Sequence, residues 1–387
     1  MRATRNVRSF AIGRLVTALV GALALAGCSD QSKRGVDRPE GTVNVYAATG
    51  ASDISPVAAR ALSRVYVPNV ESGDVYVIDP ATDKVVDRYD IGGDPQHVVP
   101  SWDLKTLWVA GSARGKRHGG MLTAIDPNTA KVVGSVRVPD AYNLYFTPDG
   151  SSAIVVAESR RRLEFRDPHT LKYQGALDVP GCSGINHADY SPRGKYAIFT
   201  CEFNGALAKV DVVNRKVLGY LKLSKGGMPQ DIRTSPDGAI FFVANMMTDG
   251  VVLVDGNQFR EIGFLPTGVG AHGLYPSRDG KKLFVSNRGS HRIDGPLRGP
   301  GSISVIDFET RRVERAWPIP GGGSPDMGNV SADGKHLWLS GRFDGVVYDL
   351  DTDTGRVKSI AVGRSPHGLT IWPQPGRHSL GHTGIMR

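Results

Sequence analysis

Apolar residues occur along this chain in short runs separated by turn-forming residues, a pattern typical of β-strands. The clearest unit begins with residues 232–235, which lead into a Pro-Asp-Gly turn. A β-branched and aromatic run follows at 239–245, a polar turn at 247–250, and two further apolar runs at 251–255 and 261–265. This unit predicts four short strands joined by tight turns. No segment sustains a 3.6-residue apolar period, so we expect no helix beyond the extreme N-terminus.

The same unit repeats along the chain. Each repeat is marked by a turn glycine in a similar context, namely Gly150, Gly194, Gly238, Gly280 and Gly334. Successive glycines are 44, 44, 42 and 54 residues apart. A period of roughly 40–50 residues with four strands per period is typical of β-propeller blades.

The number of blades follows from counting equivalent strands. Seven runs match the second strand of the unit, and the first strand also occurs seven times only if residues 366–372 are included. We therefore predict an all-β, seven-bladed β-propeller of four-stranded antiparallel blades over residues 42–373. The C-terminal strand would pair with the N-terminal blade and close the ring. The alternative is eight blades, with residues 42–48 starting a blade of their own.

Short motifs in the second strands resemble a known repeat family. Tyr-Val-Pro-Asn at 66–69, Val-Ala-Asn at 243–245 and Val-Ser-Asn at 285–287 resemble the repeats of YVTN-type β-propellers. The resemblance covers roughly residues 60–373, and with the segments 372–377 and 380–384 it looks close to lipoprotein members of this family found in actinobacteria. YVTN-type repeats resemble the tetrapyrrole-binding domain of haem nitrite reductases and its maturation proteins, quinoprotein amine dehydrogenase subunits and lactonases. The resemblance therefore implies a fold and leaves the function open.

The N-terminal residues predict export. Residues 1–27 contain four arginines, an apolar run too short to span a bilayer and a Leu-Ala-Gly sequence before Cys28. We expect a lipoprotein signal peptide at 1–27, lipidation of Cys28 and a polar tether at 28–41. This places the protein on the outer face of the cytoplasmic membrane, with the membrane as a partner through the lipid. The alternative is an ordinary secretory signal with an incidental cysteine.

The other two cysteines, Cys182 and Cys201, would then lie in an oxidising compartment. Cys182 lies just before the first strand of its blade and Cys201 ends the second strand. Antiparallel pairing of those strands would bring the two residues together, which predicts a disulfide. The alternatives are two buried thiols, or Cys182 as a metal ligand beside His187.

Polar side chains lead into the innermost strand of every predicted blade. Propellers bind ligands at the channel mouth that these loops form, and four of the ten histidines occur there. Neutral imidazoles with carboxylates suit Zn, Cu, Fe or Ni, a non-covalent tetrapyrrole, or acid–base chemistry. The alternative is a wet, polar channel mouth that binds a small ligand or nothing. The candidate residues are His97, Asn143, His187, Asp231, His272, Asp326 and His367.

These candidates do not share one alignment position. The last three fall one residue earlier than the others when the repeats are aligned on their turn glycines. Because adjacent strand residues face opposite ways, all seven converge only if the loops are irregular.

Basic residues are predicted to surround the same mouth and to attract an anion. Candidate anions are carboxylate or phosphate metabolites, tetrapyrrole propionates, or an acidic envelope polymer or protein. The chain without residues 1–27 carries +5 of the formal charge of +9, which does not favour nucleic acid as a partner. The rim comprises Arg114, Lys116, Arg117, Arg160, Arg161, Arg162, Arg292, Arg298 and Arg342.

The sequence contains no nucleophile, phosphate-loop or haem-attachment motif, so whether the protein is an enzyme stays open. The function predicted first is a ligand- or protein-binding module that acts through the channel mouth. The alternative is a metal- or tetrapyrrole-dependent oxidoreductase or cofactor-maturation factor. A second alternative is a lactonase-like hydrolase that uses Asp231 or Asp326. The tail 374–387, with His378 and His382, is expected to pack over one channel end.

Overall fold

The structure, a computed structural model, describes residues 43–112 and 119–387. The predicted signal peptide, Cys28 and the tether lie outside the described residues, as do Arg114, Lys116 and Arg117. Among the residues that are described, no helix is both long and apolar enough to span a bilayer. Three 3-10 turns occur, at Ala58–Arg60, Glu158–Arg160 and Glu202–Asn204.

Almost all regular structure in the described chain is β-strand. In chain order the strands are β1 (Arg64–Asn69), β2 (Asp74–Asp79), β3 (Lys84–Asp90), β4 (Asp94–Pro100), β5 (Leu107–Ser112), β6 (Gly120–Asp126), β7 (Lys131–Val138), β8 (Asn143–Phe146), β9 (Ala153–Ala157), β10 (Arg162–Arg166), β11 (Tyr173–Asp178), β12 (Ile185–Tyr190), β13 (Ala197–Cys201), β14 (Ala206–Asp211), β15 (Lys216–Lys222), β16 (Pro229–Thr234), β17 (Ile240–Asn245), β18 (Gly250–Asp255), β19 (Arg260–Pro266), β20 (Ala271–Pro276), β21 (Lys282–Asn287), β22 (Ser302–Asp307), β23 (Arg312–Pro318), β24 (Pro325–Val330), β25 (His336–Gly341), β26 (Val346–Asp351), β27 (Val357–Ala361), β28 (Thr370–Trp372), β29 (Ser379–Gly381) and β30 (Ile385–Met386).

These strands form seven antiparallel blades, which confirms the predicted fold. Blade 1 has the order β28-β1-β2-β3, and blades 2 to 7 take the following strands four at a time from β4 to β27. Ring closure is confirmed as well, since β28 pairs with β1 through Arg64 with Trp372 and Tyr66 with Thr370. Residues 45–48 form turns rather than the strand that an eighth blade would need.

The core lies between neighbouring blades. Between blades 2 and 3, for example, Ala110 and Leu122 pack with Leu144 and Val155. Second strands such as β17 are buried along their whole length, because adjacent blades cover both faces of the sheet. The outermost strands, such as β3, are mostly exposed. This difference explains why the second strands were continuous apolar runs in the sequence.

The repeated turn is held by its own side chains. In the turn of blade 5, Ser235 Oγ donates to Asp237 Oδ1 at 2.5 Å, and the same hydroxyl accepts from the Ile240 N–H at 3.1 Å. Asp237 Oδ1 also accepts from the Ala239 N–H at 3.1 Å. Serine and aspartate are favoured in turns because they satisfy nearby backbone groups in this way.

A buried disulfide joins Cys182 to Cys201 in blade 4. Cys182 precedes β12 and Cys201 ends β13, and both lie in the apolar cluster between blades 3 and 4. The bond therefore ties the entrance of the innermost strand of this blade to its second strand.

The C-terminal tail lies within the structure rather than only over a channel end. Strands β29 and β30 form a small hairpin, and β29 pairs with the innermost strand of blade 3 through Gly381 and Tyr145. Gly381 has a φ of +114°, and a Cβ at this position would lie 2.4 Å from Leu144 O and from Tyr145 Cα. A glycine is thus required where the tail approaches β8. Residues 379–383 are all buried.

Candidate functional site

Five innermost strands are irregular where their polar residues reach the channel. A β-bulge places an extra residue in one strand and redirects its side chain, so residues from two alignment positions can face the same axis. The seven candidate residues were expected to converge only if these segments were irregular, and five of the innermost strands are. The register shifts lie between Pro95 and His97, Ile185 and Ala188, Pro229 and Ile232, Ala271 and Gly273, and Pro325 and Gly328.

Three histidines meet inside the channel: His97, His187 and His382. One ring nitrogen from each lies within 4.8 Å of the others, and all three side chains are fully buried. The ring centroid of His187 is 4.6 Å from that of His382 and 5.2 Å from that of His97. We call this group the histidine cluster.

Two ring nitrogens of the histidine cluster have no hydrogen-bond partner. Nδ1 of His97 lies 2.9 Å from the Tyr142 carbonyl oxygen, so it carries the proton and donates, and Nε2 of His97 has no hydrogen-bond partner. Nε2 of His382 also has none. His187 makes only long contacts, 3.5 Å to the Tyr142 hydroxyl and 3.4 Å to Asn143 Nδ2. Buried polar atoms without partners are uncommon in proteins and call for a physical reason.

The cluster is neutral at physiological pH. Burial lowers the pKa of His97, His187 and His382 well below the usual value of histidine. Protonation is disfavoured further by the repulsion that a second protonated imidazole would exert and, for His382, by the charge of Arg233. Neutral imidazoles keep a lone pair, which is the form that binds metals.

His272 and His367 belong to a second group, which is centred on Asp326. Arg288 contacts Asp326 Oδ1 through Nε and Nη2 at 3.0 and 2.8 Å, and His272 Nδ1 lies 2.9 Å from the same oxygen. His367 Nδ1 donates to Oδ2 at 2.7 Å. Burial would raise the pKa of Asp326, but Arg288 and the two histidines hold it well below its usual range. We call these four residues the Asp326 group.

Tyr142 lies between the two groups. Its hydroxyl is 3.5 Å from His187 Nε2 and 3.4 Å from His367 Nε2. The rings of His97 and His367 are also close, with centroids 4.8 Å apart. Gly368 permits this approach, because a Cβ there would lie 2.2 Å from His97 Cδ2. The five imidazoles therefore form one continuous series of ring contacts, which we call the imidazole column: His187, His382, His97, His367 and His272.

Asn143 and Asp231 contribute to the surroundings of the cluster. Asn143 Nδ2 lies 2.9 Å from His382 Nδ1. Asp231 pairs with Arg233 at 2.6 Å and accepts from the Leu274 N–H at 2.9 Å, while its Oδ1 is 3.6 Å from His382 Nε2. All seven channel candidates from the sequence are thus buried in the column or beside it.

The described residues of the predicted basic rim do not gather around one cavity. Arg162 pairs with Asp178 at 2.6 Å, and Arg160, Arg161, Arg292 and Arg298 are exposed. Arg342 is different, since it is 5% exposed. It lines a cavity of about 20 Å³ at the mouth, together with Gln96, Tyr142, Glu202, Gln230, His272, Arg288, Ile293 and His367. Among the described rim residues, only Arg342 faces this cavity.

A sequence model of the YNCE-like β-propeller family matches residues 41–375. The chain belongs to this family. Its members share the propeller, and the match includes every blade strand described above together with the closing strand.

This YNCE-like propeller is similar to two proteins of known name. Antigen Lp49 of Leptospira interrogans is 24% identical over 269 residues, which cover 62% of this chain and 52% of that protein. Protein NirF of Pseudomonas aeruginosa is 27% identical over 126 residues, which cover 32% of this chain and 31% of NirF. The chain thus spans about half of the first relative and about a third of the second.

A solved structure of dihydro-haem d1 dehydrogenase NirN in complex with DHE has a similar fold. Its TM-score to the YNCE-like propeller is 0.58 at 16% identity, with 80% of this chain and 75% of that chain covered. At this identity the likeness concerns the fold alone.

Sequence reasoning missed two residues that matter in this YNCE-like propeller. His382 was noted in the tail, but nothing in the repeat pattern places the tail inside the channel. Blade 6 carries an insertion at residues 288–300, between β21 and β22. Arg288 is its first residue, and the sequence does not distinguish it from a solvent-exposed basic residue. Its burial beside Asp326 depends on the neighbouring blade 7, which the sequence alone does not position.

Proposed function

We propose that this protein is a binding module whose channel holds a transition-metal ion at His97, His187 and His382. The observation that carries the proposal is the histidine cluster itself: three buried, neutral imidazoles with ring nitrogens within 4.8 Å, two of which leave Nε2 without a partner. A bound cation would satisfy those nitrogens. Without one, the fold retains buried polar atoms that lack hydrogen bonds at a cost of about 1–3 kcal/mol each.

The donor set fits particular metals. Three imidazoles suit Zn, Cu, Fe or Ni, and a site with three protein ligands keeps a further position for water or another ligand. The His97 Nδ1–H donates to the Tyr142 carbonyl, which is the kind of contact that orients metal-ligating histidines. Zinc–nitrogen bonds of about 2.0–2.1 Å would draw the three rings closer together.

Metal titration tests this proposal. Protein freed of metal on a chelating resin is titrated with Co²⁺ and Zn²⁺, and Co²⁺ absorption reports the ligand field. We expect one equivalent to bind to the wild type and His97→Ala or His187→Ala to weaken binding at least tenfold. His169→Ala is the matched control, because this side chain is 58% exposed and lies in the turn between β10 and β11. Equal binding by the wild type and His97→Ala would overturn the proposal.

A second candidate function is that of a tetrapyrrole-dependent oxidoreductase or cofactor-maturation factor. This chain shares its propeller fold with the dihydro-haem d1 dehydrogenase NirN, which makes a tetrapyrrole a ligand to test. The imidazole column also offers axial ligands of the kind that haem iron takes. Titration with haem, followed by its absorption spectrum, tests this function. A spectral shift that His97→Ala abolishes would support it, and an unchanged spectrum would remove it. No described contact favours a lactonase over either function.

We also propose that the protein is lipid-anchored at Cys28 on the outer face of the membrane, as a YVTN-type lipoprotein would be. The signal-like sequence supports this, and a disulfide between Cys182 and Cys201 suits an oxidising compartment. Labelling of cells with an alkyne fatty acid tests it. We expect the wild type to be labelled and Cys28→Ala to lose the label. Persistent labelling of the variant would contradict the proposal.

A further inference from the structure

Arg342 has hydrogen-bonding capacity that the fold does not use. The side chain is 5% exposed, and its Nε has no hydrogen-bond partner. Nη1 reaches the Ser365 carbonyl only at 3.5 Å, and Nη2 lies 3.6 Å from Asp294 Oδ1. Both distances are longer than those of strong charge-assisted hydrogen bonds. The edge formed by Nε and Nη2 therefore lacks a strong partner, and because Nε is closed to solvent, a ligand reaches this edge by displacing the exposed Asp294.

The nearest carboxylates do not neutralise this guanidinium. Asp294 is 74% exposed and belongs to the blade 6 insertion, so solvent screens its charge. Asp326 is held by Arg288 and two histidines. Glu202 accepts from the amides of Asn186 and Gln230 at 2.8 and 3.0 Å. Burial lowers the pKa of Arg342, which agrees with a desolvated positive charge that lacks a close counter-ion.

The surroundings of Arg342 favour a small ligand. The cavity at the mouth measures about 20 Å³, room for about one water-sized group. Ile293 of the insertion lines it, and the insertion backbone is held by Arg288, whose Nη1 donates to the carbonyls of Arg292 and Ile293 at 3.3 and 3.4 Å. This space admits one oxygen of a carboxylate, and the rest of a small acid takes the position that Asp294 now holds.

We infer that Arg342 binds the carboxylate of a small organic acid at the channel mouth, through the edge formed by Nε and Nη2. A guanidinium and a carboxylate match as a planar, two-bond pair. The ligand takes the place of Asp294, which approaches the same edge. This site is separate from the histidine cluster and does not depend on a metal.

Acetate is the probe that tests this inference, with inorganic phosphate as a comparison. Binding to the metal-free full-length protein is measured from the NMR line width of ¹³C-labelled acetate at constant ionic strength. We expect Arg342→Gln to weaken acetate binding at least tenfold and Arg342→Lys to restore part of it. Asp294→Asn removes the competing carboxylate and is expected to strengthen binding two- to fivefold.

The variants decide both the location of the site and the class of its ligand. Wild-type affinity in Arg342→Gln would overturn the site, and equal affinity for phosphate and acetate would overturn the carboxylate class. If Arg342→Gln does not fold, as judged by circular dichroism, Asp294→Asn decides alone, and unchanged binding in that variant overturns the inference. Because the protein is free of metal, failure here leaves the metal proposal untouched, and failure of the metal titration leaves this site untouched.

Discussion

Replacement of Asp326 by asparagine is expected to lower the free energy of unfolding, because several buried side chains of the channel depend on this carboxylate. Asp326 is fully buried and contacts three positively charged or polar side chains at 2.7–3.0 Å, namely Arg288, His272 and His367. Asparagine keeps the shape but removes the negative charge. Arg288, whose side chain is 2% exposed, would then remain charged and buried without a counter-ion.

The magnitude follows from this burial. Breaking a buried ion pair by removing one partner costs about 3–5 kcal/mol, since an uncompensated charge is left behind. We expect Asp326→Asn to lower the free energy of unfolding by about 3 kcal/mol, the lower end of that range, because the amide oxygen can still accept one hydrogen bond. Against a typical total of about 5–15 kcal/mol, this is a large loss.

Urea unfolding followed by tryptophan fluorescence measures the change. Asp307→Asn is the matched control, because Asp307 pairs with Lys282 at 2.8 Å where that lysine is 32% exposed, and we expect a loss of at most about 1 kcal/mol there. The double variant Asp326→Asn with Arg288→Met should be more stable than the sum of the single losses predicts. An Asp326→Asn variant within about 1 kcal/mol of the wild type, or strictly additive losses, would refute this reasoning.

Three further predictions concern the channel and blade 4. Burial lowers the pKa of His367 to about 3, so between pH 6.5 and 3 the unfolded chain binds a proton that the native state does not. The free energy of unfolding should therefore decrease as the pH is lowered, by up to about 1.4 kcal/mol per pH unit for this histidine. A melting temperature unchanged from pH 7 to 4 would contradict this prediction. Replacement of Cys182 and Cys201 by alanine opens a loop with a sequence separation of 19 and should cost about 3 kcal/mol in urea unfolding, while equal midpoints would show that the disulfide contributes nothing. Gly381→Ala should displace the tail from β8, because the added Cβ would clash with the backbone of Leu144 and Tyr145. We expect faster proteolysis of the C-terminal residues and at least tenfold weaker Co²⁺ binding. Proteolysis of the tail at the wild-type rate would contradict this prediction.

The fold was predictable because its signals are local and repeated. Each blade carries its own turn, such as Ser235 to Gly238, and its own buried second strand, such as β17. The closing strand was predictable from a count, because β28 completes blade 1, which otherwise lacks an innermost strand. These features can be predicted without knowing the orientation of side chains that are distant in the sequence.

The site was predictable only as a set of candidates. Whether His187 and His272 face the axis depends on bulges that add one residue to the innermost strands, and nothing in the apolar pattern specifies them. The partition of the histidines into a cluster and the Asp326 group depends on contacts across the channel. His382 enters from the tail, and Arg288 is buried by a neighbouring blade, so both required the tertiary structure.

Ring closure has a consequence for the lifetime of the folded protein. His97 lies on β4, in the N-terminal part of the propeller. It forms a β-bridge with Gly368, which lies just before the closing strand β28 near the C-terminus. The imidazole column is therefore assembled from both ends of the propeller and exists only while β28 is paired. A ligand at the axis binds the closed ring and not an opened one, so it should lengthen the interval between opening events. Its effect should appear as a slower unfolding rate, with little change in the rate of refolding.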